Sequence, residues 1–267
     1  MKISVALCTF NAAAFLQQQL DSLFAQSCKI DELIICDNHS SDATIQIIKE
    51  YEKLYPGIIH LFQNPINMGF NRNFEKAISL TSGDFIFTSD ADDIWLPHKI
   101  ETILKKFDAY PAAYLIFSDA HLIDANNNPI PGSLWQKWNF LKEDRELWQD
   151  NKYAYTQLKI NNNKISGPTL GFKKSLKDGL FPFNFENGLC FDAYLALCAA
   201  KRNGLYSLDE PLIKYRVHQN QQIGIGNGVY LQQMKSSVNN SWSIRWHRRF
   251  TNLWNKSYQL FHSRHSL

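Results

Sequence analysis

The stretch Thr88-Ser89-Asp90-Ala91-Asp92-Asp93-Ile94-Trp95 follows directly on the apolar run Phe85-Ile86-Phe87. The apolar run has the length and composition of a buried strand, and three carboxylates stand just past its end. Carboxylates so close repel one another unless a cation or hydrogen-bond donors neutralise them. A hard divalent ion such as Mg²⁺ or Mn²⁺ takes carboxylate and phosphate oxygens together, which suits an ion bridging protein and diphosphate. Pro97 then predicts a helix over 97–107 with proline in its first turn. A bare Asp-x-Asp is common, and the same residues can serve as an acidic turn capping that helix. The position after a buried strand, with Ser82-Gly83-Asp84 in front of it, favours a site.

Outward from this point the first 120 residues alternate between two periods. Ile3 to Cys8, Leu33 to Cys36, Ile58 to Phe62, Phe85 to Phe87 and Tyr114 to Phe117 read as strands. Leu16, Leu20, Leu23 and Phe24 mark one helical face, Ile45, Ile48 and Leu54 the next, and Asn73 to Leu80 a short third helix. Ser40-Ser41-Asp42 supplies N-cap candidates for the second. This rhythm implies an α/β fold with a mostly parallel central sheet and helices on both faces. From about Asp124 to Lys164 the periodicity weakens. Asp192 to Asn203 reads as a helix closed by Gly204, and Leu205–Leu208 and Leu212–Tyr215 as two short strands around Pro211.

Composition narrows the function. The 267 residues are 45% hydrophobic and 20% charged, which excludes disorder as the main state. No apolar run approaches the ~20 residues of a membrane-spanning helix. The Met1-Lys2 start leads into a strand-length run without signal-peptide architecture, so the expectation is a cytoplasmic protein. Five cysteines without a CxxC pair argue against a disulfide framework or zinc ribbon. The first glycine is Gly57, so no GxGxxG follows the first strand; GxxxxGK[ST] and GxSxG are absent throughout. Open α/β sheets bind ligands at the carboxyl ends of their strands. A nucleotide there must be held by side chains and a metal instead of a glycine loop.

Five segments in order resemble the inverting glycosyltransferases of family two, with the GT-A fold: Val5-Ala6-Leu7-Cys8-Thr9-Phe10-Asn11, Asp37-Asn38-His39-Ser40-Ser41-Asp42-Ala43-Thr44, Asn67-Met68-Gly69-Phe70-Asn71-Arg72-Asn73, Ser82-Gly83-Asp84 and the Asp90 to Asp93 run. A looser match continues through Gly167-Pro168-Thr169, Asp192 and Tyr215-Arg216-Val217-His218-Gln219-Asn220. The resemblance implies a catalytic domain over 1–225, with a nucleotide-sugar half at 1–120 and an acceptor half at 121–225, and a helical tail at 226–267. It implies Thr9, Phe10 and Asn11 around base and ribose, Asp37 on the nucleobase, and Asn71 and Arg72 over the nucleotide. Asp42 either touches the base or caps a helix. Asp90 and Ala91 fall to the ribose or metal-bound water, Asp92 to direct metal ligation, and Asp93 to capping the next helix or helping the acceptor site. Asp192 matches the general base, with Glu186 its nearest rival, although the preceding position, often acidic or histidine in the family, is Phe191. Arg216 is expected at a phosphate and His218 at the metal. Gly167, Thr169 and Trp135 fall on the acceptor side, where Trp138 and Trp148 also lie. Gly224, Gly226 and Gly228 would let the last loop close over the donor. The implied cofactor is Mn²⁺ or Mg²⁺, and the implied donor a UDP-, dTDP- or GDP-sugar.

Charge is uneven along the chain. All 25 acidic residues lie at or before Glu210, and eight of the 28 basic ones follow it, leaving a body of −5 and a tail of +8. Trp242, Trp246, Phe250, Leu253 and Trp254 recur at helical spacing with Arg245, Arg248, Arg249 and Lys256 on other faces. This pattern fits a helix on an anionic membrane surface, and equally one packed on the catalytic domain. A lipid-linked glycan acceptor, as in bacterial lipopolysaccharide O-antigen or capsule synthesis, would explain the membrane reading. The absence of membrane spans and of a Gln-x-x-Arg-Trp run argues against a processive synthase. The alternatives are a nucleotidyltransferase of related fold, whose usual glycine-rich opening is missing, and a nucleic-acid-binding protein using the tail, which would not need the aspartates.

Overall fold

The computed structural model describes residues 1–185, 188–219 and 221. The chain divides into two compact units, Met1–Arg216 and Val217–Leu267. The first opens with β1 (Ile3–Thr9), α1 (Leu16–Phe24), β2 (Glu32–Asp37), α2 (Thr44–Leu54), β3 (Ile59–Gln63), α3 (Phe70–Leu80) and β4 (Phe85–Ser89). It continues with β5 (Ile94–Trp95), α4 (Lys99–Ala109), β6 (Leu115–Asp124), β7 (Pro129–Ser133), α5 (Leu134–Lys137), α6 (Lys142–Trp148) and α7 (Asn151–Lys159). A 3₁₀ turn at Gly167–Thr169 leads into β8 (Leu170–Lys173), and α8 (Phe191–Lys201) and β9 (Leu205–Val217) complete the described elements.

The sheet runs β3-β2-β1-β4-β8-β6-β9-β5, with β7 paired to β6. β3, β2, β1 and β4 are parallel. The β4–β8, β6–β8, β6–β7 and β5–β9 pairs are antiparallel. The expected mostly parallel sheet is therefore a mixed one. The periodic βαβ rhythm signals the parallel half, because each crossover needs a helix, whereas the second half pairs through loops and distant segments.

Both faces are covered. Ala6, Ile34, Cys36 and Ile86 share one core with Phe74, Ala77 and Ile78 of α3 and Leu195 and Ala196 of α8. Val5, Leu7, Leu33, Ile35 and Phe87, at the alternate positions, are also buried and face the opposite layer. Each buried aliphatic or aromatic side chain there contributes roughly 1.5–3 kcal/mol.

The weakly periodic stretch after Asp124 holds three short helices. Trp135 and Trp148 pack with Phe117 and Phe140, their rings 5.2 to 6.4 Å apart. Sparse apolar residues suffice there because aromatics bury so much area each. Two boundary expectations also change. β9 runs unbroken through Pro211 instead of forming two short strands. At the end of α8 the left-handed residue is Asn203, with φ 55°, and the Gly204 N–H donates to the Ala199 carbonyl at 2.9 Å. Gly204 is needed for space: a Cβ there would lie 2.4 Å from Tyr114.

Candidate active site

The carboxyl ends of β1, β2 and β4 form one edge, stitched by side chains. Thr9 Oγ1 donates to Asp37 Oδ1 at 2.8 Å, and the Ser40 N–H donates to Asp37 Oδ2 at 2.9 Å. Asp37 is 1% exposed, so it organises this edge as an Asx-type turn. Asn11, in the left-handed region at φ 47°, accepts from the Ser41 N–H at 2.8 Å, and Phe10 stands exposed beside it. Asp42 accepts from the Thr44 N–H at 3.0 Å and the Ala13 N–H at 3.0 Å, so it closes the turn just before α2, whose N-cap is Ala43, and ties the two loops together.

An asparagine ladder supports the next loop. Asn38 donates to Asn67 at 2.7 Å, Asn64 to Asn73 at 2.7 Å, and Asn73 to the Cys36 carbonyl at 2.8 Å. The ladder fixes Gly69, whose φ of 78° a side chain would strain, and with it the start of α3. The two α3 residues expected over the nucleotide turn toward the other half of the protein. Asn71 spans the start of α8, donating to the Leu189 carbonyl at 3.2 Å and accepting from the Phe191 N–H at 2.8 Å. Arg72 pairs with Glu75 and lies 4.8 Å over the Phe185 ring.

At the end of β4, ligand oxygens of Asp90, Asp92 and Asp93 all lie within 4.8 Å of one another. Burial, then the Asp92 and Asp192 charges, push the Asp90 carboxyl well above the usual range. Burial and the charges of Asp92 and Asp90 do the same to Asp93. Asp93 Oδ1 accepts from the Arg216 N–H at 2.9 Å, while Oδ2 is buried with no hydrogen-bond partner among the described residues. Asp93 thus belongs to the cluster, and the helix it was expected to cap starts at Lys99 behind His98. A trio of crowded carboxylates, one with an orphaned buried oxygen, fits a hard divalent cation.

Arg216 is fully buried beneath this cluster. Its guanidinium donates to the Asp92 carbonyl at 2.6 Å, Asn127 Oδ1 at 2.7 Å and Gln18 Oε1 at 2.9 Å. The expected phosphate contact is therefore replaced by a structural one: Arg216 holds the backbone that carries the aspartates.

Asp192 lies in the first turn of α8 and is 9% exposed. Its Oδ1 accepts from the Ala193 N–H at 2.6 Å and from Asn163 Nδ2 at 3.3 Å, and the Gly167 N–H adds a further bond. Burial outweighs these donors and raises its carboxyl to about 6. The Gly167–Thr169 turn joins this residue to the aspartate cluster. Thr88 Oγ1 donates to the Gly167 carbonyl at 2.5 Å, and Lys99 Nζ to the Pro168 carbonyl at 2.5 Å. Lys99 is itself fully buried, 3.4 Å over the Trp95 ring, where Asp93 and Asp90 pull its charge.

The acceptor-side expectations need correcting. Gly167 and Thr169 are buried parts of this turn, and Trp135 is 2% exposed in the aromatic core, so none offers a face to a sugar. His218 belongs to the second unit, where its N–H donates to Gln221 Oε1 at 3.4 Å. Glu186, the rival base, lies outside the described residues, as do Asn220, the 224–228 glycines and the tail. Sequence reading missed Lys99, Asn163 and the Asn38–Asn64 ladder. Lys99 had a visible signal, standing on the same helical stripe as buried Ile100, Ile103 and Phe107.

The Asp90, Asp92 and Asp93 carboxylates are grouped so that they could hold a metal ion, and the Asp192 charge reaches Asp90. Residues 4–172 match the family model described as Glycosyl transferase family 2, and the chain belongs to that family. EpsE of Bacillus subtilis, named provisionally as a glycosyltransferase, is 35% identical over 243 residues, 86% of each chain. The dTDP-rhamnosyl transferase RfbG of Shigella flexneri is 27% identical over 231 residues, covering 82% of this chain and 73% of RfbG. Among solved structures, S. aureus TarS in complex with UDP-GlcNAc superposes with a TM-score of 0.62 at 20% identity. That match covers 83% of this chain and 60% of the TarS chain. The mannosyltransferase PcManGT of Pyrobaculum calidifontis, in complex with GDP-Man and Mn²⁺, gives 0.60 at 17% identity, covering 82% of this chain and 58% of PcManGT. The fold is GT-A. Family membership replaces the nucleotidyltransferase alternative.

Proposed function

We propose that this glycosyltransferase moves one sugar at a time, with inversion, from a nucleoside-diphosphate donor to a hydroxyl of a glycan or lipid-linked glycan acceptor. The observation that carries the reading is the placement of Asp192 within electrostatic reach of the Asp90 carboxyl, across from the aspartate cluster. Inversion requires a base on the face opposite the leaving group. Asp192 takes the acceptor hydroxyl's proton as its oxygen bonds to the sugar carbon and the bond to the diphosphate breaks. Phe10 and Asn11 line the base and ribose on the edge that buried Thr9 and Asp37 organise, and Asn71 and Arg72 border the passage between donor and acceptor halves.

Asp92 would hold a divalent ion, with Asp90 meeting the ribose or an ion-bound water. Such an ion supplies positive charge to the departing diphosphate oxygens. PcManGT, seen with GDP-Man and Mn²⁺, supports this choice. The reading extends to bacterial surface polysaccharide, O-antigen or capsule synthesis; the similar relatives are RfbG, a dTDP-rhamnosyl transferase, and EpsE, named provisionally as a glycosyltransferase. No helix among the described residues is long and apolar enough to cross a membrane. The basic aromatic tail is proposed to rest on the anionic inner face of the cytoplasmic membrane, which sedimentation with anionic and neutral vesicles tests.

The test of the reading is thermal stability with UDP, dTDP and GDP, each with and without Mn²⁺, for wild type and Asp92→Ala. A ligand binding only the native state adds about 2.7 kcal/mol at 100 times its Kd. One nucleotide should raise the wild-type midpoint only with Mn²⁺, and Asp92→Ala should lose the rise. No shift with any nucleotide at saturation contradicts the site.

A further inference from the structure

Asn163, in the connection after α7, makes an arrangement the transferase reading does not use. Its Oδ1 accepts from the Ile165 N–H at 3.0 Å, and its Nδ2 donates back to the Ile165 carbonyl at 3.0 Å. This pair fixes which end of the amide is which, since the opposite orientation would set NH₂ against an N–H. The remaining hydrogen of Nδ2 points to Asp192 Oδ1, 3.3 Å away. Clamped in this way, Asn163 offers Asp192 a donor and never an acceptor. A donor favours the charged carboxylate and disfavours the protonated acid.

Asp192 Oδ1 receives the Ala193 N–H at 2.6 Å and Asn163 Nδ2 at 3.3 Å, and the Gly167 N–H gives the carboxylate a further donor; of these only Asn163 is a side chain. We propose that Asn163 is the positioning residue of the catalytic base: its amide, clamped by Ile165, donates to Asp192 Oδ1 and holds the carboxylate in one orientation at the start of α8. This role rests on the reading of Asp192 as the base. Among the described residues, the other titratable groups acting with Asp192 are Asp90, reaching it from the end of β4, and Cys190 at the cap of α8. Burial and the Asp192 charge push the Cys190 thiol up to about 12, so it stays neutral across the working range. The neighbouring Lys164 donates to the Trp138 carbonyl at 2.8 Å, and burial lowers its ammonium against the pull of Asp144.

The experiment follows the Asp192 carboxyl directly, by carbon-13 NMR titration of the full-length, metal-free chain, the resonance being assigned by its loss in Asp192→Asn. Asn163→Ser is the informative variant. A serine oxygen can still accept the Ile165 N–H two residues on, preserving the turn, but is too short to reach Asp192. Asn163→Ala removes both contacts. The midpoint, about 6 in wild type, should rise by about one pH unit in both variants, as loss of one hydrogen bond to a charged group implies. In nucleoside diphosphate release, kcat should fall while the donor KM holds. A midpoint unmoved in Asn163→Ser, with the fold intact and Asp192→Asn inactive, overturns the positioning role alone. Full transfer activity in Asp192→Asn overturns the base assignment and this role with it.

Discussion

The ammonium nitrogen of Lys99 lies 2.5 Å from the carbonyl oxygen of Pro168, joining the helix behind the aspartate cluster to the turn whose Gly167 N–H meets Asp192. The aspartate cluster and Asp192 are thereby tied to one short segment. Burial holds the Lys99 ammonium well below its ordinary value, against the pull of Asp93 and Asp90. Lys99→Ala should cost about 3 kcal/mol, from the cavity left and the unpaired buried carbonyl. Urea unfolding monitored by tryptophan fluorescence checks this, and an unchanged midpoint would contradict it.

Gly167 tests the same segment from the other end. A Cβ there would come within 2.4 Å of the Phe191 ring, which is buried and stacked on Phe74 at 3.8 Å. The ring has no room to yield, so the start of α8 must move and carry Asp192 with it. Gly167→Ala should lower kcat by at least tenfold, roughly the effect of a small misplacement at the reacting centre. Its circular dichroism should stay that of wild type.

A pH prediction concerns the opposite edge of the sheet. Glu32 is buried, which raises its carboxyl, but bonds from Ser4, Ser82 and Lys2 outweigh burial and bring it down from 4.5 to about 2. The folded value lies below the unfolded one, so the stabilisation is complete above roughly pH 5 and lost as pH falls toward 2. Glu32→Gln should cost on the order of 2 kcal/mol at pH 7, shrinking below pH 4. A difference from wild type that does not change between pH 7 and pH 3 would count against this.

Asp192 shifts the other way, up to about 6 by burial. In its proposed role as base it works deprotonated, so kcat should fall tenfold per pH unit below about 6 and level off above. Its folded value exceeds the unfolded one, so the charged carboxylate costs stability at pH 8. Asp192→Asn should therefore be more stable there, by on the order of 1–2 kcal/mol. Calorimetry at pH 8 and at pH 4 separates this from a packing effect, which would persist at pH 4.

The legible part of this protein is the half built by regular alternation. Leu16, Leu20 and Leu23 mark α1, and Leu33 to Cys36 marks β2, because local period and burial coincide. The antiparallel half was not legible, since β8 takes its place between β4 and β6 through pairings distant in sequence. Asp90, Asp92 and Asp192 could be placed because strand ends and helix starts locate them. The direction of a long side chain could not: Arg216 points inward to carbonyls, and Asn71 reaches across to α8. Trp135 shows the same limit, because an indole among polar residues looks alike in a core and in a sugar site.

The most direct measurement of the central claim is release of nucleoside diphosphate from UDP-GlcNAc, dTDP-rhamnose and GDP-mannose, with Mn²⁺ and with chelator, for wild type, Asp92→Asn and Asp192→Asn. The account predicts metal-dependent release from one donor by wild type. It also predicts a loss of at least a hundredfold in each variant, with Asp192→Asn still binding the nucleotide. Release that persists in chelator, or that survives in both variants, would contradict a site built from this aspartate cluster and Asp192.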